Sequence, residues 1–113
     1  MEQLNEFAPA TDKFNQLGVN IVAVSTDTVT GLKQTFPDVS LNTKQFPFPL
    51  VSDARLEIFK AYRAYDDFEE TPLHGTFLID AKGKIRWQDI SYEPFTAMEF
   101  LLEETERLLS LQN

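Results

Sequence analysis

Two short stretches on either side of residue 80 have the polar and apolar pattern of a β-hairpin. Thr76 to Ile79 is an apolar run that favours a strand, and Lys84 to Trp87 alternates polar with apolar residues. Asp80-Ala81-Lys82-Gly83 lies between them. Aspartate can accept hydrogen bonds from the backbone that follows it, and glycine tolerates the positive φ that closes many turns. The pattern predicts a hairpin against which the other segments pack.

The first 17 residues have the apolar spacing of a helix. The residues that recur at this spacing are Leu4, Phe7, Thr11, Phe14 and Leu17. Gly18 follows where a helix commonly ends in a left-handed residue. Pro9 removes a backbone donor and crowds the preceding turn, so the helix is expected either to kink or to begin near this proline.

Two aliphatic runs in the middle of the chain predict strands. Residues 19–25, VNIVAVS, have the near-continuous apolar character of a central, parallel strand covered on both faces. Asp27 or Ser25 is expected to cap the helix that follows, which ends at Pro37, and residues 38–48 read as a connecting loop. Residues 49–53 predict a second strand before another capped helix. The predicted buried stripe of that helix is Leu56, Phe59 and Tyr62.

The chain ends in an amphipathic helix that follows a loop through Ser91 and Glu93. Pro94 is acceptable in its first turn, and Glu103 and Arg107 form an outward pair four residues apart. The predicted inner face is Phe95, Met98, Leu102, Thr105 and Leu109. The element order α-β-α-β-α-β-β-α predicts one α/β domain, with a sheet covered on both faces and closed by an antiparallel hairpin.

Composition narrows the classes of function. The 113 residues carry a net charge of −8 and no cluster of Lys or Arg, which argues against a nucleic-acid-binding surface. No apolar run reaches membrane-spanning length, and the N-terminal residues MEQLNEF are acidic where a signal peptide would be basic. We therefore expect a soluble segment. The sequence does not decide whether a leader lies upstream. It also does not decide the compartment, for which the cytoplasm is slightly favoured.

The chain contains no cysteine. This excludes disulfides, thiolate metal sites and every thiol-based reaction within these 113 residues.

Three segments taken together resemble a known family. VNIVAVSTD, then FPLVSDARLEIFKAY, then LHGTFLIDAKGKIRW have the order and spacing of the peroxiredoxin and alkyl hydroperoxide reductase (AhpC/TSA, redoxin) family within the thioredoxin-like superfamily. The resemblance covers nearly all of the chain. It implies a three-layer α/β/α sandwich with a mixed sheet, a C-terminal antiparallel hairpin and a final helix, but without the first strand or strands.

The resemblance also implies a position for the reactive thiol. Members of the family carry a cysteine at the start of a helix, an acid three residues later and a Phe four residues further on. Phe7 fits the Phe, Gln3 occupies the position of the acid, and the cysteine would stand immediately before Met1. A hydroxyl has no comparable sulfenate or disulfide cycle. We therefore predict that this chain by itself has no peroxidase or thiol–disulfide activity, and no cofactor is implied.

The missing strand determines which partners we expect for the chain. In the family, that strand lies in the middle of the sheet, between the strands equivalent to residues 19–25 and to Thr76–Ile79. Its removal would expose two apolar edges. We expect an upstream segment of a longer parent, or a second copy, to complete the sheet. A thioredoxin-type protein is the reductant expected for the parent.

Three residues are predicted to neighbour the site: Gln3, Thr26 and His74. His74 is the only histidine, and it precedes a strand where peroxiredoxins often carry an arginine. It is either a donor beside the absent thiol or a strand-end histidine bonded to backbone. Thioredoxin-like reductases carry a cis-proline there, so His74 departs from both patterns. Pro72, two residues earlier, could instead carry a cis bond, although most X-Pro bonds are trans.

The carboxylates have two interpretations. Asp27, Asp53 and Asp80 each follow an apolar strand, which suggests either a Mg²⁺ site or, more simply, two helix caps and a turn residue. If the first hairpin strand is antiparallel to its neighbours, Asp80 lies at the opposite edge and a shared metal site is excluded. The acidic residues 66–70 suit either a basic partner or plain solvation.

The sequence therefore leaves three candidate functions. The leading one is the C-terminal part of a thioredoxin-like redoxin whose parent acts through an upstream cysteine. The second is a cysteine-free thioredoxin-like module used for binding or scaffolding. The third is a metal-dependent phosphoryl enzyme.

Trp87 is expected to be a packed aromatic residue on the inner face of the hairpin, although it could shield an active site.

Overall fold

The computed structural model describes residues 2–35 and 47–111. Within these ranges the chain forms four helices and six strands. In chain order they are α1 (Glu2–Gln16), β1 (Ala23–Ser25), α2 (Val29–Thr35), β2 (Leu50–Ser52), α3 (Glu57–Ala61), β3 (Tyr65–Asp66), β4 (Thr71–Pro72), β5 (His74–Ile79), β6 (Ile85–Ser91) and α4 (Met98–Ser110). Most of the predicted loop between α2 and β2 lies outside the described residues.

The strands form three separate pairs. β1 and β2 are parallel, whereas β3–β4 and β5–β6 are antiparallel. The prediction that the first strand is parallel is confirmed. Its predicted length and central position are wrong, because only Ala23–Ser25 finds a ladder partner in the described part of the chain. Val22, just before this strand, is 59% exposed, so the aliphatic run is not covered on both faces.

The predicted hairpin is confirmed, and it is longer than the pattern indicated. The Asp80 carboxylate accepts the N–H groups of Lys82 and Lys84, each at 2.9 Å, and Gly83 has a φ of +81°. β6 continues past Trp87 to Ser91 because residues 88–91 pair with residues 74–77 of β5. The loop predicted directly after Trp87 is therefore strand.

Helix α1 begins at Glu2 and contains Pro9, so the expected start near the proline is wrong. The turns that precede Pro9 are held by packing, since the ring of Phe7 stacks on Phe14 with 6.0 Å between centroids. The predicted glycine end is confirmed. Gly18 has a φ of +81°, and Val19 N–H donates to Phe14 O at 2.9 Å in the pattern of a Schellman motif.

The core lies between α1 and α4. Ala10 and Phe14 of α1 pack with Leu101 of α4, and the half-buried Trp87 of β6 packs against this cluster. The prediction that Trp87 is a packed inner-face aromatic agrees with this arrangement. The hairpin therefore buries one face against the two long helices.

Helix α4 differs in detail from its prediction. It begins at Met98, so Phe95 lies before it, with its ring edge-on against Trp87 at 5.1 Å between centroids. Thr105 is fully buried as predicted. The other buried residues of the helix are Leu101 and Leu108. Arg107 pairs with Glu104, three residues away, rather than with Glu103.

Helix α3 does not have the predicted buried stripe. It spans only Glu57–Ala61 and contains no buried residue. Leu56 lies before it with a left-handed φ of 62°, and Tyr62 lies after it and is 38% exposed. Because these positions are outside the helix, the three-residue spacing from Leu56 to Tyr62 does not fall on one helical face.

The acidic link forms a small hairpin that the sequence pattern did not predict. Strands β3 and β4 pair antiparallel, and the Asp66 carboxylate accepts the N–H groups of Phe68 at 2.9 Å and Glu69 at 3.0 Å. The hydroxyl of Tyr92, beyond β6, also donates to this carboxylate. That bond is the largest cause holding the pKa of Asp66 below its ordinary value of 3.8, followed by the Glu69 N–H. Asp66 is thus a structural residue of the turn.

Removal of the Tyr92 hydroxyl tests this bond. We expect Tyr92→Phe to raise the pKa of Asp66 toward 3.8, because the largest stabiliser of its charged form is lost. Since the folded pKa is depressed, the bond stabilises the fold above the unfolded pKa, and this contribution disappears as the pH falls through the folded value. NMR titration of the side-chain carboxyls gives the measurement. Asp80 serves as an internal control, since the backbone N–H of Lys84 is the main cause of its lowered pKa. An unchanged Asp66 pKa would contradict the prediction.

Candidate functional site

One face of the β5–β6 hairpin is apolar at the turn end and polar at the other end. Directly opposed residues of an antiparallel pair project to the same face. The register therefore places three pairs on the face that packs against α1 and α4: Leu78 with Trp87, Thr76 with Asp89, and His74 with Ser91. The last two pairs form the polar end of the hairpin face.

The first turn of α1 is bound to this polar end. Gln3 Nε2 donates to Thr76 Oγ1 at 2.8 Å and also contacts the carbonyl oxygen of Phe95 at 3.3 Å. One side chain therefore joins α1, β5 and the loop before α4. Since His74 is two residues from Thr76 on the same face, the start of α1 lies near the His74 end of the strand.

The three predicted site residues differ in their surroundings. Gln3 is half-buried in the contacts above, and His74 is exposed at the first position of β5. No side-chain hydrogen bond of His74 is formed among residues 2–35 and 47–111, so bonding of its ring to backbone is not observed there. Thr26 is exposed in the turn after β1 and takes no part in the Gln3–Thr76 hydrogen bonding. The described peptide bonds are all trans, so the cis alternative at Pro72 is wrong.

Asp89 is a residue of this face that the sequence pattern did not single out. It is half-buried and lies directly opposite Thr76. β6 was predicted to end at Trp87, so Asp89 was assigned to a loop. The alternation of Trp87, Asp89 and Ser91 at period two was the signal that could have placed it on the same strand face.

The three strand-end carboxylates do not converge. Asp53 is buried and accepts the Phe59 N–H at 2.9 Å, and Asp80 serves the hairpin turn. Asp27 accepts the Ser25 hydroxyl at 3.1 Å. Neither Asp27 nor Ser25 caps α2 as predicted. Thr28, the residue directly before the helix, does so by accepting the Gly31 N–H at 3.1 Å.

No group of three or more metal-ligating side chains forms in the described part of the chain. None of the helices in residues 2–35 and 47–111 combines the length and the apolar character that a membrane crossing requires.

The arrangement of parallel β1–β2, the antiparallel hairpin and the packed α1 and α4 defines a thioredoxin-like α/β fold. The AhpC of Mycobacterium bovis has this fold. It superposes with a TM-score of 0.79 at 20% sequence identity, covering 98% of this chain and 62% of that chain.

Sequence comparison identifies the family. A model described as "AhpC/TSA family" matches residues 1–88, and the chain belongs to this family. Alkyl hydroperoxide reductase C of Buchnera aphidicola is 33% identical over 96 residues, covering 82% of this chain and 48% of that protein. Thioredoxin peroxidase of Fasciola hepatica is 30% identical over 100 residues, covering 87% of this chain and 50% of that protein. The chain spans about half the length of the curated relatives it matches.

Proposed function

We propose that this chain is the C-terminal portion of a thioredoxin-like redoxin whose parent reduces peroxides or exchanges disulfides through a cysteine placed just before Met1. The observation that carries the proposal is the Gln3–Thr76 hydrogen bond of 2.8 Å. It fixes the beginning of α1 over the polar end of the hairpin face. A thiol at the helix start would therefore lie near His74.

The chemistry of such a position favours a reactive thiolate. Unpaired backbone N–H groups at a helix N-terminus stabilise an anion, and they lower the pKa of a cysteine placed there. His74 supplies a donor that can contact the thiolate or a substrate oxygen. These 113 residues contain no cysteine, so we propose that the chain alone is inactive in peroxide reduction and disulfide exchange.

We propose that the sheet is completed either by an upstream segment of the parent or by a second copy. Two observations support this. Among the described residues, β1 is hydrogen-bonded only to β2, and β5 only to β6, so each strand has one edge without a ladder partner. An open cavity of about 270 Å³ also lies beside the chain that leads into β1, lined in part by Thr11, Ile21 and Val22. An additional strand would satisfy the open backbone groups and cover apolar surface.

The reductant proposed for the parent is a thioredoxin-type dithiol protein. The support is the relative from Fasciola hepatica, whose name is thioredoxin peroxidase. Exchange with such a protein requires a thiol or disulfide on the parent, which ties this proposal to the upstream cysteine.

The decisive experiment compares the 113-residue chain with the intact natural polypeptide. The intact mass of the natural polypeptide is measured first. Hydrogen peroxide consumption by both polypeptides is then followed with a thioredoxin system as reductant. We expect background consumption by the 113-residue chain. We expect turnover by a longer polypeptide that carries a cysteine before Met1, and loss of that turnover when this cysteine is changed to serine. A natural polypeptide without any cysteine would contradict the proposal.

The absence of cysteine from these residues also favours a second candidate, a thioredoxin-like module used only for binding or scaffolding. The same comparison separates the two. A cysteine-free natural polypeptide that forms a stable complex with another protein would support the binding module.

A further inference from the structure

Three polar groups at the polar end of the hairpin face have no hydrogen-bond partner in the described part of the chain. They are the His74 ring, the Asp89 carboxylate and the hydroxyl proton of Thr76. Thr76 Oγ1 accepts from Gln3 Nε2, which leaves its own proton available to donate. Asp89 is half-buried, and its carboxylate oxygens, which can accept hydrogen bonds, receive none from the described residues.

The strand register brings these groups close together. Thr76 and Asp89 are directly opposed, and His74 is the diagonal neighbour of Asp89. In antiparallel pairs, opposed Cβ atoms lie about 4.5–5.5 Å apart and diagonal neighbours about 7–8 Å apart, within reach of long side chains. Two donors and one charged acceptor therefore lie close together on one face of the hairpin, and Gln3 joins Thr76 of this group to the first turn of α1.

Asp89 is the carboxylate that the pairing places on this face of the hairpin. The other polar group of β6 here, the Ser91 hydroxyl, is already used, because it donates to the carbonyl of Glu93 at 2.7 Å. On the neighbouring α1, Glu6 is exposed to solvent. The Asp89 carboxylate is therefore the charged acceptor of this group.

We propose that Asp89 is a substrate-binding residue of the site, which accepts the O–H of a hydroperoxide while Thr76 and His74 donate to its second oxygen. This inference rests on the proposed function and deepens it, because it names the contacts that would hold the substrate. A hydroperoxide carries one donor and one adjacent acceptor oxygen, which matches one carboxylate beside two donors. An alcohol lacks the second oxygen and satisfies only part of the set.

The cysteine-free chain suits a binding test, because it has no thiol to consume the peroxide. The probe is tert-butyl hydroperoxide, titrated while the backbone amide signals are followed by heteronuclear NMR, with tert-butanol as the control ligand. We expect saturable shifts at His74, Thr76 and Asp89 with the hydroperoxide and much smaller ones with the alcohol. Asp89→Asn should weaken binding by about tenfold, as expected for replacement of a charged acceptor by a neutral one.

Two further variants test whether the binding depends on the groups of this face. Thr76→Val keeps the β-branched shape without the hydroxyl and should also weaken binding. Asp12→Asn removes an exposed charge from α1, nine residues beyond Gln3, and should leave binding unchanged. A spectrum with the wild-type dispersion shows that each variant is folded.

Two results would overturn the inference: no saturable shift in the unsubstituted chain, or equal binding by Asp89→Asn and the unsubstituted chain. Either result is independent of the peroxide-consumption assay with the cysteine-containing polypeptide. The proposed function can therefore stand while the role of Asp89 fails, and a failed assay does not alter what the titration reports about Asp89.

Discussion

Phe14→Ala is expected to lower the free energy of unfolding by about 3–5 kcal/mol, the usual range for a buried Phe truncated in a packed core. Phe14 is 2% exposed and packs with Ala10 and Leu101, where α1 meets α4. The change removes the ring against which Phe7 stacks and leaves a cavity at the junction of the helices and the hairpin. Since domains of this size have total stabilities of about 5–15 kcal/mol, the loss is a large fraction of the total free energy of unfolding.

Urea denaturation followed by circular dichroism and by the fluorescence of the single tryptophan, Trp87, gives the measurement. Phe68→Ala is the matched control, because Phe68 is 91% exposed at the β3–β4 turn. Its change should stay within about 0.5 kcal/mol, as for most surface substitutions. Equal destabilisation by the two substitutions would contradict the assignment of the core to the α1–α4 junction.

The features that the sequence predicted best are set by local chemistry. The hairpin turn follows from Asp80 and Gly83, whose roles require only the neighbouring backbone. The end of α1 follows from Gly18 in the same way. Apolar spacing also predicted α4 and the packing of Trp87, since one helical stripe or one strand face needs no knowledge of its partner.

The features that the sequence missed depend on partners elsewhere in the chain. An aliphatic run over residues 19–25 has strand character, but a ladder forms only where Leu50–Ser52 lies alongside it. β6 extends to Ser91 because β5 begins at His74 and offers partners along its full length. The β3–β4 hairpin is stabilised by Tyr92, which lies 26 residues after Asp66. No local pattern contains these pairings.

The positions of Gln3 and His74 were singled out only through the family resemblance, and their role as site residues stays a prediction. Motif spacing placed Gln3 in the first helical turn and His74 before the strand, and the structure brings these two regions together. The contact that joins them links residues 73 positions apart, and its acceptor, Thr76, has no distinguishing local pattern. Asp89 required the observed register of β6, since a loop assignment gives its side chain no defined direction.

Gly75→Ala is expected to destabilise the chain by about 1–3 kcal/mol, the usual cost of overpacking a filled site. A Cβ at this position would stand 2.7 Å from Phe77 Cε2 and 3.0 Å from the Cβ of the buried Ala64. Phe77 cannot move freely, because its ring packs edge-on against Tyr62 with 5.0 Å between centroids. The glycine therefore allows β5 to approach the chain that follows α3.

The free energy of unfolding of Gly75→Ala, measured by urea denaturation, is best compared with that of Gly31→Ala. A Cβ at Gly31 in α2 meets nothing closer than 3.4 Å, an ordinary contact, and alanine is the better helix former by about 1 kcal/mol. The same chemical change should thus stabilise the chain at residue 31 and destabilise it at residue 75. Opposite signs would show that the cost at Gly75 is steric, because the loss of glycine's backbone freedom in the unfolded chain is common to both substitutions. Stabilisation by Gly75→Ala would mean that β5 is not packed closely against Ala64.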